Sequence, residues 1–184
     1  MTKHTVCRAH PALPRGEGMI PLEFGDGRAC VIGQSGSRLL KFQLLHRRSK
    51  MVSIPKHVQD FFPGKMGWVA TATKEGLPNV TPKGSVRVLD DQHVIFADLF
   101  SLKTRQNLEQ NPRVAVTVID AATHKGYQIK GTAELVSSGP LYDQMAEQMK
   151  QLAPTLPPPM YVVKIAVDSV YDQSVGPDAG KQIA

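Results

Sequence analysis

The pattern of hydrophobic and polar positions along the chain changes at residue 51. From Met51 onward, short apolar runs alternate with polar residues, and Gly, Pro, Asn and Asp separate the runs. Across residues 1–50, neither the period of a helix nor that of a strand lasts for more than a few residues. The pattern therefore predicts two regions, an N-terminal extension at 1–50 and a folded domain at 51–184.

The folded region is predicted to be mainly β, with about six strands and two or three short helices. Helices are expected at 54–62, where Ser53 and Pro55 mark the start, at 101–110 and at 140–153. The last helix is expected to bury one face, formed by Tyr142, Met145, Met149 and Leu152. The predicted strands read MGWVATATKEG, LPNVTPKGSVRVLDD, HVIFAD, RVAVTVID, GYQIKGTAELVSSG and MYVVKIAVDSVYD, and the second of these segments is expected to form one or two strands kinked at Pro82 and Gly84. Because short turns join most of them, the pattern indicates a small antiparallel barrel and argues against parallel βαβ units.

Residues 1–50 carry the whole net charge of the chain. Of 22 Lys and Arg residues, nine lie in this segment together with three acids, whereas residues 51–184 hold thirteen basic and thirteen acidic residues. The best candidate for regular structure is a basic amphipathic helix in RLLKFQLLHRRSK. Three interpretations stay open: a segment upstream of a natural start at Met51, which is favoured, a disordered basic tail, or an arm for nucleic acid or a membrane surface.

Composition is that of a soluble globular protein, with 41% hydrophobic and 21% charged residues. No apolar run approaches the roughly 18–20 residues that span a bilayer, and the first residues lack a secretory h-region. Cys7 and Cys30 provide neither metal-ligand spacing nor a disulfide framework. We expect a cytoplasmic location and no membrane partner. A neutral domain with 6% aromatic residues also argues against a nucleic-acid partner.

The segment SLKTRQNLEQ places several potential anion ligands at the start of a predicted helix. Free N–H groups and the helix dipole attract an anion there, Lys103 adds a charge, and Ser101 and Thr104 can donate hydroxyl hydrogen bonds. The alternative is a capped, solvated surface helix. Taken alone, the segment favours that alternative.

Three segments occur in a characteristic order: TATKEGLPNVTPKGSVRV, HVIFADLFSLKTRQNLEQNPRVAVTVID and GYQIKGTAELV. In this order and spacing, the sequence resembles the pyridoxamine 5'-phosphate oxidase-like FMN-binding split barrels, in particular their small FMN-binding and flavoredoxin-like members. The resemblance covers roughly residues 54–178. It implies a six-stranded split barrel that forms a homodimer, with FMN sites across the subunit interface.

The resemblance also implies which residues bind the flavin. Ser101, Lys103 and Thr104 would hold the phosphate, with Asn107 as a further phosphate or ribityl contact. Gly84 would let the backbone approach the isoalloxazine ring closely, and Lys83 would lie near its N1–C2=O edge. The full set of expected cofactor-binding residues is Thr81, Pro82, Lys83, Gly84, Ser85, Ala97, Asp98, Leu99, Ser101, Lys103, Thr104, Asn107, Gln128 and Lys130.

Several positions keep two interpretations. Gln128 and Lys130 share one face of a strand and would face either the flavin of a partner subunit or solvent. Trp68 is expected in the core or in a dimer interface. The tail SVGPDAGK resembles the C-terminal ends of flavoredoxin-like members, which approach the active site.

The resemblance implies a cofactor more directly than a reaction. The chain lacks the C-terminal Arg-Leu-x-Pro segment of pyridoxamine phosphate oxidases and the C-terminal histidine of haem-degrading relatives, since its last histidine is His124. We expect an FMN-dependent oxidoreductase that passes electrons from a nicotinamide to a small acceptor, with the chemistry carried by the flavin rather than by catalytic side chains. The alternatives are a flavin-binding electron-transfer module without a substrate of its own, or a relative that binds F420 or another deazaflavin.

Overall fold

A computed structural model describes residues 19–23, 29–33, 43–45 and 51–184. The chain divides into two units, 1–49 and 50–184. In the first unit, β1 (Met19–Glu23), β2 (Ala29–Gly33) and β3 (Gln43–Leu45) form an antiparallel sheet in the order β1-β2-β3. The helix predicted in RLLKFQLLHRRSK is therefore wrong at residues 43–45. The reason is visible in the sequence, where Leu40, Phe42 and Leu44 also alternate with the period of a strand. The rest of that prediction lies outside the described residues.

The second unit contains three helices and seven strands. The helices are α1 (Lys56–Gln59), α2 (Leu102–Gln110) and α3 (Pro140–Leu152). The strands are β4 (Gly67–Ala72), β5 (Pro78–Lys83), β6 (Arg87–Asp90), β7 (His93–Asp98), β8 (Arg113–Asp120), β9 (Lys125–Val136) and β10 (Tyr161–Asp172). None of the described helices is long and apolar enough to cross a bilayer.

The seven strands form one antiparallel sheet in the order β5-β4-β8-β9-β10-β7-β6. The segment LPNVTPKGSVRVLDD, predicted as one or two strands, forms two, because it breaks between Lys83 and Arg87 into β5 and β6, and the sheet has seven strands where about six were predicted. These two strands are the opposite edges of the sheet, yet the chain between Lys83 and Arg87 spans at most roughly 14 Å. A flat sheet of this size would be about 29 Å wide. The sheet must therefore curl into a barrel that is split between β5 and β6, which confirms the predicted fold class.

The core lies inside this barrel and continues beneath α3. Val94 and Phe96 of β7 point into the barrel, whereas Ile95 and Ala97 point outward and pack against Met145 of α3. Burial on both faces explains why HVIFAD reads as a nearly continuous apolar run rather than as an alternating one. Strand β8 alternates instead, with buried residues at every second position.

Helix ends and faces follow the predictions in part. Helix α2 ends at Asn111, as expected for the residue before a proline, and Asn111 has extended dihedrals of −140° and 99°. Helix α1 is shorter than predicted, and Ser53 does not cap it, because its hydroxyl donates to Asp91 Oδ2 at 2.9 Å. On α3, Met145 is fully buried, but Leu152 is 80% exposed because its turn extends past the sheet.

The residues after β10 fold back along it. The N–H of Ile183 donates to the carbonyl of Val170 at 2.8 Å, and the N–H of Asp172 donates to the carbonyl of Lys181 at 2.9 Å. Strand β10 pairs with β7 only through its first half, over residues 161–166. The returning segment therefore supplies hydrogen-bond partners to the half that β7 leaves open, and it packs Ile183 and Ala184 against the core.

Gly131 lies at the point where β9 approaches β10 most closely. A Cβ at this position would lie 2.2 Å from the carbonyl oxygen of Ala166 and 2.7 Å from Cγ2 of Ile165. Backbone cannot move aside as a flexible side chain can, so we expect Gly131→Ala to lower the free energy of unfolding by about 1–3 kcal/mol. Urea denaturation measures the change. Gly84→Ala is the matched control, because its Cβ would meet only Cε of Met66 at 3.9 Å. Equal losses of stability in the two variants would show that the close approach of β10 at Gly131 is not what makes alanine unfavourable there.

Candidate functional site

A cleft of about 930 Å³ opens beside the split of the barrel. Its walls come from α1 and the turn after it, the connection between β5 and β6, strand β6, the residues at the start of α2, and the second half of α3. Half of the cofactor-binding residues predicted from the sequence line it, namely Pro82, Lys83, Gly84, Ser85, Ala97, Leu99 and Ser101. The fold thus brings together three sequence segments that the prediction had grouped around one ligand.

A buried ion pair lies at the base of the cleft. Lys83 Nζ donates to Asp98 Oδ1 at 2.6 Å and also to the hydroxyl of Ser101, while Lys83 and Asp98 are only 7% and 3% exposed. The N–H of Ser101 donates to the same Oδ1 at 3.3 Å. One carboxylate therefore neutralises the lysine and fixes the residue before α2. Lys83 does not present the free positive charge that the sequence analysis expected at a flavin edge.

Asp98 also differs from its predicted role. It was expected to line the site through backbone groups, but its carbonyl oxygen accepts the N–H of Met160 at 2.8 Å, and its carboxylate holds Lys83 and Ser101. It does not line the cleft. Its position behind Lys83 makes it a residue that orders the wall of the site.

Ser85 ties the connection between β5 and β6 to the end of β7. Its hydroxyl oxygen accepts the N–H of Ala97 at 2.9 Å. The backbone beside it, at Gly84, is open on the side where a side chain would project. A flat ligand can therefore approach this backbone closely, as the sequence analysis expected of Gly84.

A second polar cluster attaches α2 to the strands beside it. The Thr81 and Thr104 hydroxyls are 3.1 Å apart, Asn79 Nδ2 donates to Thr104 Oγ1 at 3.3 Å, and Asn107 Nδ2 donates to Thr71 Oγ1 at 3.1 Å. Thr104 is fully buried and Asn107 is 4% exposed. The side chains of Thr81, Thr104 and Asn107 hold the helix in place and do not line the cleft, and the cofactor contacts predicted for these residues stay predictions.

The first turn of α2 nevertheless keeps free donors. The N–H of Leu102 donates to the carbonyl of Phe100, and that of Arg105 to the carbonyl of Ser101, whereas the N–H groups of Lys103 and Thr104 donate to no carbonyl of the described residues. The Lys103 side chain is exposed. A helix start with free N–H groups and a lysine can hold an anion.

Gln128 and Lys130 lie away from the cleft, on the outer face of β9. Gln128 Nε2 donates to Thr117 Oγ1 at 3.2 Å, and Lys130 Nζ lies 4.3 Å from the centroid of the Tyr171 ring. Cross-strand pairs place Trp68 opposite Thr117, and Thr117 opposite Gln128, so all three share this face. Trp68 is 47% exposed, which excludes the core and leaves a dimer interface, the other predicted location, as a prediction.

The C-terminal tail does not approach the cleft of its own chain. The N–H of Val175 donates to the carbonyl of His124, and that of Gly180 to the carbonyl of Asp172, at 2.9 and 2.7 Å. None of the residues of SVGPDAGK lines the cleft. The tail lies instead beside the start of β9 and the end of β10.

Most of the other residues that line the cleft were not predicted from the sequence, and two of them carry chemistry. Arg87 lines it from β6, and burial lowers the pKa of its guanidinium. Gln148 lines it from α3, and its Oε1 is buried without a hydrogen-bond partner among the described residues. Arg87 lies between two valines of a strand and Gln148 in an amphipathic helix, so the sequence alone predicts a solvated position for each.

The sequence model of the pyridoxamine 5'-phosphate oxidase family matches residues 54–174. The chain belongs to this family, as the resemblance in the sequence had indicated. It is 36% identical over 146 residues to uncharacterized protein MJ0282 of Methanocaldococcus jannaschii, a match that covers 78% of this chain and 96% of that protein.

Two crystal structures are similar to the fold. HupZ of Group A Streptococcus is 28% identical, with a TM-score of 0.61 over 69% of this chain and 99% of the other. An FMN-binding protein of Syntrophomonas wolfei subsp. wolfei is 12% identical, with a TM-score of 0.55 over 64% of this chain and 81% of the other. At 12% sequence identity, the similarity to the Syntrophomonas wolfei protein shows a common fold and nothing about function.

The ion pair between Lys83 and Asp98 gives a stability prediction. Lys83→Met leaves a buried carboxylate without its cation and should cost about 3–5 kcal/mol, because an unpaired buried charge is strongly disfavoured. Adding Asp98→Asn should recover part of that loss. Chemical denaturation of both single variants and the double variant measures the coupling. Lys103→Met, at an exposed lysine, is the control; a loss no larger for Lys83→Met than for Lys103→Met would show that the pair contributes little.

Proposed function

We propose that this protein is an FMN-dependent oxidoreductase that passes electrons from a nicotinamide to a small acceptor. The observation that carries the proposal is the cleft itself. In a chain of the pyridoxamine 5'-phosphate oxidase family, residues 82–85, the end of β7 and Ser101 converge on one cavity. Its volume of about 930 Å³ lies in the range of cofactor sites.

The residues present fit FMN by their chemistry. The open backbone at Gly84 suits the flat ring, and the free N–H groups of Lys103 and Thr104, with the Lys103 ammonium, suit the phosphate. Asp98 supports the phosphate donors indirectly, because it holds Ser101 at the start of α2. When bound, FMN supplies the hydride and electron chemistry. The protein binds it, orients it and shields one side of it with α3.

The same proposal includes a homodimer. Trp68, Val80 and Ile119 are 47%, 59% and 51% exposed and share the outer face of the sheet with Gln128 and Lys130. Large apolar side chains grouped on one face favour association. A second copy on this face would bring Gln128 and Lys130 towards the flavin of its partner.

Replacement of Trp68 tests the dimer. Trp68→Glu places a charge in the middle of the proposed interface, so we expect a monomer in sedimentation velocity at concentrations where the unchanged protein is a dimer. Val175→Glu is the control, since Val175 is 83% exposed and lies in the tail rather than on this face. An unchanged protein that sediments as a monomer at all concentrations would contradict the dimer.

The cofactor is tested first by the visible spectrum of the purified protein and by chromatography of what it releases on denaturation. We expect a yellow protein that releases FMN, and anaerobic addition of a nicotinamide should bleach it. Bound FMN that no nicotinamide reduces would indicate an electron-transfer module. A protein that rejects FMN but takes up F420 would be a deazaflavin-binding relative, and the FMN proposal would be wrong.

The phosphate site is tested by Lys103→Ala. Loss of one charge-assisted contact, about 1.5 kcal/mol, should weaken FMN binding roughly tenfold in a fluorescence titration. Lys74→Ala, at an exposed lysine outside the cleft, should leave binding unchanged. Thr104 is buried in the polar cluster, so Thr104→Ser, which keeps the hydroxyl, should also bind normally. Equal affinities for Lys103→Ala and Lys74→Ala would remove the phosphate assignment.

A further inference from the structure

The cleft extends beyond the segments assigned to FMN, into the space between β6 and α3. The wall contributed by α3 and the residues after it is apolar, with Met149, Leu152 and Leu156 lining the cleft. Leu152 is 80% exposed, and Phe100 on the opposite side is 74% exposed. This part of the cleft therefore offers apolar surface that no described residue covers.

Arg87 supplies a positive charge to this compartment. It pairs with Ile95 across β6 and β7, and Ile95 packs against Met145 of α3, so the Arg87 side chain lies on the face of the sheet that α3 covers. Burial lowers the pKa of the guanidinium, which reflects partial loss of its hydration. The guanidinium forms no ion pair and no hydrogen bond with the described residues.

Most other charged residues of the cleft have partners of opposite charge. Lys83 is paired with Asp98, and Lys56 with Asp60 at 2.7 Å. Asp90 Oδ1 lies 2.8 Å from Nδ1 of His93, a ring that carries charge only when it is protonated. Arg87 is thus the cation of the cleft lining that pairs with no acid among the described residues. A partly desolvated guanidinium without a counter-ion is a favourable site for a carboxylate, sulfonate or phosphate group.

Gln148 is the polar residue that α3 contributes to this wall. Its Oε1 is buried and accepts no hydrogen bond from the described residues, and because that oxygen is closed to solvent it offers no contact to a ligand. The guanidinium and the apolar wall therefore describe the chemistry of one ligand.

We propose that the compartment between β6 and α3 binds the small substrate as an amphipathic anion. Its acidic group pairs with Arg87, and its apolar body lies against Met149, Leu152 and Leu156. The identification of this ligand as the substrate that exchanges electrons with the flavin rests on the proposed function. The existence of the binding site does not depend on that function. Arg87 is then a specificity-determining residue that selects anions over neutral molecules of the same shape.

Two dyes that differ by one charge test the site. The probe 8-anilino-1-naphthalenesulfonate has a sulfonate, an aromatic body and an N–H group, and N-phenyl-1-naphthylamine has the same body and N–H group without the sulfonate. In fluorescence titrations of the purified protein, we expect the sulfonate to bind at least tenfold more tightly. Arg87→Ala should abolish the difference, and Arg87→Lys should keep part of it.

Lys103→Ala is the matched control, because it removes a positive charge at the start of α2 rather than beneath α3. It should leave the preference for the sulfonate intact. The proposal is overturned if Arg87→Ala binds the sulfonate as the unchanged protein does, if Lys103→Ala and Arg87→Ala weaken it equally, or if neither dye binds the unchanged protein. Thermal denaturation of each variant shows whether it is folded. If Arg87→Ala is not folded, Arg87→Lys takes its place in the comparison.

Flavin content, measured on the same samples, separates this proposal from the proposed function. A protein without flavin that still prefers the sulfonate through Arg87 would retain the anion site and lose the FMN assignment. A flavin-bound protein that shows no preference would retain the cofactor and lose the anion site.

Discussion

The buried ion pair between Lys83 and Asp98 joins two strands that the sheet itself keeps apart. In the order β5-β4-β8-β9-β10-β7-β6, Lys83 ends the first strand and Asp98 ends the sixth. Their side chains meet at 2.6 Å only because the sheet curls back on itself. The short connection between β5 and β6 brings the edges together, and the pair fixes them at that point. Because both groups are buried, the contact tolerates little displacement of either strand.

The candidate site follows from this closure. The same carboxylate that accepts the lysine also accepts the N–H of Ser101, so the curvature of the sheet and the start of α2 are set by one residue. The cleft then lies where the two edges fail to pair, with β6 on one side and α3 above it. Neutralisation of Lys83 by Asp98, and of Lys56 by Asp60, leaves Arg87 as the cation of the cleft lining without an acidic partner among the described residues.

The sequence supports the fold further than it supports the site. Apolar runs and turn residues predict most strands, and Asn111-Pro112 predicts where α2 ends, because these signals are local. The role of Thr104 is not local: a hydroxyl at a helix start is typical of an anion site, but its partners Asn79 and Thr81 are 25 and 23 residues away. Arg87 was missed for the same reason. Its strand alternates as an exposed edge does, and only the packing of α3 beside it creates a partly buried cation.

The cluster that attaches α2 has a further consequence for the behaviour of the molecule in different solutions. Thr71, Asn79, Thr81, Thr104 and Asn107 bond to one another through hydroxyl and amide groups alone. None of these groups gains or loses a proton between acidic and alkaline conditions, and neutral hydrogen bonds are not screened by ions. The body of the helix is thus attached to β4 and β5 in a manner indifferent to acidity and ionic strength.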